Sequence, residues 1–412
     1  VQPVRDPAEK PNGDEKETIM SAVKRMSLLA ATLMFAASVL QAGTAPAEDG
    51  VTDSQITIGM STALSGPAQF LGTSFKTGAE LYMRKVNDEG GVHGRKVKLI
   101  AYDDGYEPTR AVPNVEKLIR NDKVFLLLGN VGTPTAMAIK PIVTKERVPL
   151  FAPFTGAEPL RSPVVRYILN YRASYYQEVE EFIKGMVDVL GLRKIGVFYQ
   201  DDAYGRVVLE GAKIALRKRG LAPVSLGTYK RNTTDIDVGL SDVMARQPEV
   251  VVMVGTYAAC AKFIGEGRKR GFHPVYMNVS FVGADKLAEL LGAGGEGVVV
   301  TQVVPPHDSD YAAVKEYRSL LAKYAPGSKP NFVSLEGFLA AKVLTEGLKK
   351  AGRGLTRESF VDALENIKAL DIGAGNRVEF SADNHQGSQT VYPTVIRQGR
   401  YQIVKNWAAL GK

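Results

Sequence analysis

The chain has 412 residues, with 52 Lys+Arg against 44 Asp+Glu for a formal net charge of +8, four histidines and one cysteine. The positive surplus is spread along the chain and no basic tract alternates with aromatics, so the charge reads as solvated surface and not as a nucleic-acid footprint. A single cysteine excludes an internal disulfide, and a length beyond the ~250–300 residues at which one core stops growing points to two lobes.

Residues 1–19 are polar, without apolar periodicity, and read as a disordered or misassigned N-terminal extension, with Met20 as the expected start. Residues 20–47 read as a signal peptide: Lys24 and Arg25 form a basic flank, Met26 to Leu40 an apolar run, and Ala45-Pro46-Ala47 a small-x-small cleavage site. That run is shorter than the ~20 residues a spanning helix needs, which predicts secretion into a periplasm. Removing residues 1–47 takes away five basic and five acidic residues, so the surplus of +8 is unchanged.

After the leader, short β-rich runs alternate with amphipathic stretches, the pattern of βαβ units and parallel sheets. Ile56 to Met60 is the first predicted strand, followed by a helix carrying Phe75, Ala79, Tyr82, Met83 and Val86 on one face. Gly90-Gly91 ends it, Val97 to Tyr102 is a second strand, and a helix with Val112, Val115, Leu118 and Ile119 leads to the apolar run Val124 to Leu128. A strand at Val148 to Phe151 follows, and the alternation restarts at Ile195 to Tyr199, Val250 to Val254, Val275 to Asn278 and Val298 to Val303. Helices at Val333 to Gly352 and Arg357 to Leu370 and strands near Val378 to Phe380, Val391 to Ile396 and Tyr401 to Val404 complete the chain. Pro305-Pro306 and the polar stretch Ser381 to Gln389 are the expected later crossings between lobes.

The chain has no Gly-x-Gly-x-x-Gly after its first strand, no Walker-type loop, no Gly-x-Ser-x-Gly elbow and no His-Glu-x-x-His, so no enzyme, cofactor or metal is expected. His93, His273, His307 and His385 lie in polar, turn-like settings and are expected at the surface, and Cys260, among alanines, is expected to be buried and inert. The candidate binding residues lie on loops after strands. Gly132-Thr133-Pro134 opens a helix, with Thr133 read as N-cap and Pro134 as first helical residue. Phe154-Thr155-Gly156 follows the fourth strand, and Tyr204 and Tyr257 each follow a strand of the second half. In a doubly wound fold these loops converge on one crevice, and a helix terminus there suits a carboxylate.

Leu64-Ser65-Gly66-Pro67, Thr77-Gly78-Ala79-Glu80, Asn87 to Gly91 with Gly94, Tyr102-Asp103-Asp104, Tyr204-Gly205 and Phe281-Val282-Gly283 resemble the branched-chain amino acid (Leu/Ile/Val-binding) type of ABC-transporter periplasmic substrate-binding proteins. The resemblance runs from about Gln55 to near the C-terminus. It implies a type I periplasmic binding fold, two Rossmann-like α/β lobes with parallel sheets joined by a three-crossover hinge. The expected lobes are residues 51–171 with 305–388, and 172–304 with 389–412. It further implies a monomer that captures a small solute by closure and serves a membrane permease; the alternative is a receptor of the same fold feeding a chemoreceptor or histidine kinase.

Carried over by position, the resemblance makes Thr133 the carboxylate-binding residue and Tyr204 and Tyr257 pocket tyrosines. The family's ammonium-binding Thr falls at Gly156, its ammonium-neutralising Glu at Ser280, its pocket Tyr at Leu71, and the paired cysteines of some members at Tyr106 and Gly132. A buried ammonium without its carboxylate keeps a cost of several kcal/mol, which points to a carboxylate or amide lacking a charged amine. Asp201, Asp202 and Asp285 are the neighbouring acids that could supply the missing charge instead.

Overall fold

A computed structural model describes residues 48–410, with residues 3, 17, 18 and 20–22. Apart from those few positions, the expected extension and signal peptide lie outside the described residues. The first sheet is built from β1 (Gln55–Thr62), β2 (Lys96–Asp103), β3 (Leu126–Leu128), β4 (Leu150–Phe151) and β5 (Ile168–Leu169), all parallel, in the order β2-β1-β3-β4-β5. Connecting them are α1 (Gln69–Asp88), α2 (Pro108–Arg120) and α3 (Thr133–Lys145). The three leucines of β3 are fully buried, as expected of a central strand covered on both faces.

The second half repeats the plan. After α4 (Tyr175–Ile183) come β6 (Ile195–Gln200), α5 (Ala203–Arg217), β7 (Ser225–Tyr229), α6 (Asp237–Met244), β8 (Val250–Val254), α7 (Tyr257–Lys269), β9 (Val275–Asn278), α8 (Ala284–Leu291) and β10 (Val299–Gln302). These strands are parallel in the order β7-β6-β8-β9-β10, the same winding as the first sheet. In both sheets the winding reverses beside the first-formed strand, and the crevice outside the carboxyl ends at that point is where such folds bind ligands.

The chain leaves the second sheet after Gln302 and returns to the helices of the first. There α9 (Ala312–Tyr324) and α10 (Phe332–Ala351) pack on α1, and α11 (Arg357–Glu365) packs on α10. The approach of α1 and α10 depends on reciprocal glycines: a Cβ on Gly78 would lie 1.7 Å from the Ser334 carbonyl oxygen, and one on Gly337 would lie 2.1 Å from that of Phe75. The expectation of a helix from Arg357 to Leu370 is too long, because Asn366 closes it, with its side-chain amide on the Asp362 carbonyl, and Leu370 begins the short strand β11 (Leu370–Asp371), paired with β12 (Arg377–Val378). The chain then runs past Asn170, bridged there to Gln386. It adds β13 (Tyr392–Arg397) and β14 (Arg400–Ile403) as an antiparallel hairpin on the edge of β10.

Two further expectations need correction. His385 is not a surface residue: it is buried, with Nδ1 on the Ile168 carbonyl and Nε2 on Glu365. The N-cap of α3 is Gly132, not Thr133, which becomes the first helical residue, and Pro134 is the second and not the first. Gly132 has φ +99°, and a Cβ there would meet the Tyr106 ring at 2.1 Å, so the turn into the helix requires glycine and displaces the hydroxyl from the capping role. Cys260 is buried, and burial pushes its thiol well above the ordinary range. No described helix is long and apolar enough to cross a membrane.

Candidate functional site

The strand ends of the two sheets face each other, and the loops that follow them meet. From the first sheet, the Thr133 hydroxyl is 2.7 Å from that of Thr155, which donates to Tyr175 at 3.4 Å. Gly156 lies against Tyr175, where a Cβ would come within 2.6 Å of the ring. Phe154 projects across to the second half, its ring 5.6 Å from Phe281 on the loop after β9. Tyr204, at the start of α5, packs on Phe281 at 4.7 Å and on Tyr175 at 5.4 Å, and Tyr106 closes the group 5.8 Å from Phe281. The result is a cluster of five aromatic rings between the sheets. The Tyr204 hydroxyl, fully buried, has no hydrogen-bond partner among the described residues.

Tyr257 and Leu71 sit to one side. The Tyr257 hydroxyl accepts from the Phe70 amide at 3.3 Å and its ring stands edge-on to Phe70, while Leu71 reaches the backbone of Gly283. Beyond Phe70 a groove of about 850 Å³ opens between α1, α8 and the N-terminus of α10. At that terminus Asp285 accepts from the Phe332 amide at 2.8 Å and is 2.9 Å from His307 Nε2.

Ser280 has the most unusual surroundings. Its amide and hydroxyl both donate to Glu178, at 2.8 and 2.9 Å, and its hydroxyl also accepts from Arg172. Arg172 is only 1 % exposed; it reaches Glu178 at 3.2 Å and Glu336 of α10 at 3.5 Å, and its guanidinium lies over the rings of Phe154 and Tyr175. Its Nε and Nη1 have no hydrogen-bond partner among the described residues. Burial works against this charge, but the Glu336 and Glu178 carboxylates outweigh it and hold the guanidinium above its ordinary value. Glu336 pays the converse cost: burial pushes its carboxyl up to about 7, against the pull of Arg172.

A second buried arginine, Arg161, commits its donors to the carbonyls of Ala157, Thr155 and Arg172 and to the Gln386 side chain. Burial and the neighbouring Arg172 lower its pKa to about 10.

Of the nine residues expected from sequence, Thr133, Phe154, Thr155, Gly156, Tyr204 and Ser280 converge on this buried centre. Gly132 borders it through Tyr106, and Leu71 and Tyr257 flank it. The acids put forward to replace the family's Glu do not reach it. Asp201 pairs with Arg206 at the surface, Asp202 caps α5 and bonds Gln200 and Arg231, and Asp285 belongs to the groove. The acids that lie at the centre are Glu178 and Glu336, and neither they nor Arg172 and Phe281 were among the expected binding residues. Arg172 lies in the segment between β5 and the Ser174/Gln177 capping box of α4, and a charged residue in so apolar a stretch was the available signal. Among the described residues no group of three or more His, Cys, Asp or Glu could hold a metal ion.

This arrangement of paired sheets agrees with comparison against known proteins. Residues 55–400 match the model of the periplasmic binding protein family. The chain belongs to that family. Among curated relatives, a Leu/Ile/Val-binding protein homolog from Brucella melitensis is 24 % identical over 351 residues, 84 % of this chain and 91 % of the relative. Among solved structures, a possible leucine/isoleucine/valine-binding protein from Rhodopirellula baltica superposes with a TM-score of 0.84 at 38 % identity, covering 89 % of this chain and all of that one. A substrate-binding periplasmic protein from Ralstonia solanacearum gives 0.79 at 30 % identity, over 84 % and 98 %. The fold is the type I periplasmic binding fold, and the chain is of the Leu/Ile/Val-binding type within the family.

Proposed function

We propose that the protein is the solute-capturing component of an ABC importer, and that its solute is a small organic molecule presenting a carboxylate or amide on an aromatic or apolar body. The observation that carries this is Arg172: a buried guanidinium, set among aromatic rings between the two sheets, whose Nε and Nη1 have no hydrogen-bond partner among the described residues and whose Nη1 has only the longer approach to Glu336 at 3.5 Å. Buried donors without partners are costly, and a planar acceptor is what a guanidinium fork matches. Thr133, Thr155 and the Tyr204 hydroxyl add neutral donors, and Phe154, Phe281 and Tyr204 enclose the body.

An α-amino acid is disfavoured for a different reason than the loss of the family's Glu. Glu178 bonds Ser280 and Glu336 approaches Arg172, but Arg172 already fills the cationic place between the two carboxylates, so an ammonium would meet a guanidinium.

In this reading residues 51–171 with 305–388 form one lobe and 172–304 with 389–412 the other, and the solute stabilises their closed arrangement, which the permease recognises. The test is a thermal-shift screen of the purified protein against aliphatic amino acids, amides, and aliphatic and aromatic carboxylates. A ligand at 100 times its dissociation constant stabilises by about 2.7 kcal/mol. Carboxylates or amides are expected to raise Tm; a strong shift with leucine or valine instead overturns the solute class.

A further inference from the structure

Arg172 stands between two carboxylates that are held very differently. Glu178 accepts four hydrogen bonds, from the Ser280 amide and hydroxyl, the Thr301 hydroxyl and Arg172. Glu336 has the single approach to Arg172 at 3.5 Å. The other groups that act on it are Glu178, Arg161 and the buried Tyr171. The acids on helices packed against α10 have partners of their own: Glu80 pairs with Lys76, Glu316 with Lys342 and Lys85, and Glu358 with Arg166. With both arginines and both glutamates charged the centre is neutral, and an anionic solute would add an uncompensated buried charge. Such a charge is relieved by protonating the group with the weakest support for its ionised form.

We propose that Glu336 couples solute capture to proton capture: a carboxylate entering the cleft takes Glu336's place on Arg172, and the displaced Glu336 carboxylate takes up one proton from solvent. This rests on the anionic solute proposed above. No other bond is made or broken. Glu336 thereby favours an acid over its own amide at low pH and the reverse at high pH, since only the acid needs the proton. The raised carboxyl of Glu336 places the changeover near neutrality.

The experiment is calorimetric titration of the full chain at pH 8 in phosphate and in Tris, with benzoate and isovalerate as acid probes and benzamide and isovaleramide as neutral ones. For a group titrating near 7, about 0.9 proton should be taken up per acid bound and none per amide, and acid affinity should fall about tenfold for each pH unit above 7. Glu336→Gln should abolish the uptake and bind the acid roughly tenfold more tightly than wild type at pH 8. Glu336→Asp, which keeps an ionisable group, should retain the uptake. An acid that binds without proton uptake, or equal uptake by wild type and Glu336→Gln, overturns the proposal. Binding of neither acid while an amide binds overturns the anionic solute itself, which the isotherm shows before any proton is counted. Infrared titration without ligand gives an independent reading: a carboxyl with a midpoint near 7, lost in Glu336→Gln, is expected, and its absence from wild type overturns the coupling.

Discussion

Two clusters of charge join the halves of this protein, and they are built on opposite principles. At the centre, Arg172, Glu178 and Glu336 are almost wholly withdrawn from solvent. At the rim, Arg231 of the second half bonds Glu107 at 2.7 Å and Asp202 at 3.1 Å with side chains 22 %, 35 % and 10 % exposed, and Asn232 bonds Glu107 and the Gly105 carbonyl. The rim cluster also leaves atoms without partners among the described residues, Arg231 Nε and Asn232 Oδ1, but its side chains stay in reach of water and salt, so it can hold the halves together at little cost and little selectivity. The central cluster leaves Arg172 donors without a hydrogen bond among the described residues in a buried setting, where a missing partner is expensive. Burial therefore separates the two clusters: the same kinds of charge are inexpensive at the rim and costly at the centre.

The sharpest break of this contrast is at Arg172. Arg172→Met leaves two buried carboxylates without their cation, which should destabilise the fold by about 3–5 kcal/mol and abolish binding of acid solutes. Differential scanning calorimetry with ligand titration reads both effects. Arg172→Lys separates them, since it keeps the charge and loses the fork; near-wild-type affinity would show that point charge alone suffices.

Next in size is the pH dependence of the centre. The folded Glu336 carboxyl sits near 7, above its ordinary 4.5, so its contribution to stability is fully present below about 4.5 and is lost as pH rises through about 7. Wild-type Tm should fall across that window, and Glu336→Gln should flatten the fall; an unchanged profile would put the titrating group elsewhere.

A smaller effect is expected at Tyr204, whose hydroxyl has no hydrogen-bond partner among the described residues. Tyr204→Phe should leave the melting temperature within a degree or two yet weaken binding by about fivefold to tenfold, the scale of one hydrogen bond. Unchanged affinity would remove that hydroxyl from the site. Smallest of all is Arg231→Ala, a partly exposed pair of modest net worth, which should weaken binding less than about fivefold. That difference should shrink further in 1 M NaCl, where the Debye length is about 3 Å.

The fold was legible wherever burial left a continuous signature. Val250 to Val254 and Val275 to Asn278 are strands with the expected bounds, because parallel strands covered on both faces retain unbroken apolar runs. Ile168–Leu169 has only two residues and so no period to detect. Ser225–Tyr229 carries Gly227 where α6 packs so closely that a Cβ would lie 2.1 Å from the Gly239 carbonyl oxygen, and that requirement breaks the apolar pattern. The candidate site divides in the same way. Residues on strand-end loops could be placed because the winding of the sheets dictates where those loops go. Arg172, Glu178 and Glu336 could not, because Arg172 and Glu178 lie off the strand-end loops and Glu336 lies more than 150 residues further along the chain, and only folding brings it to them.

The repeated winding of the two sheets has a consequence for how such a protein changes its preferences. Each half offers a skeleton of the same plan and a set of interchangeable fingertips at its strand ends. The segments 153–157 and 279–283 touch across the gap while the strands beneath them belong to separate sheets. Grafting those two short stretches from a relative should transfer appetite without rebuilding the jaw.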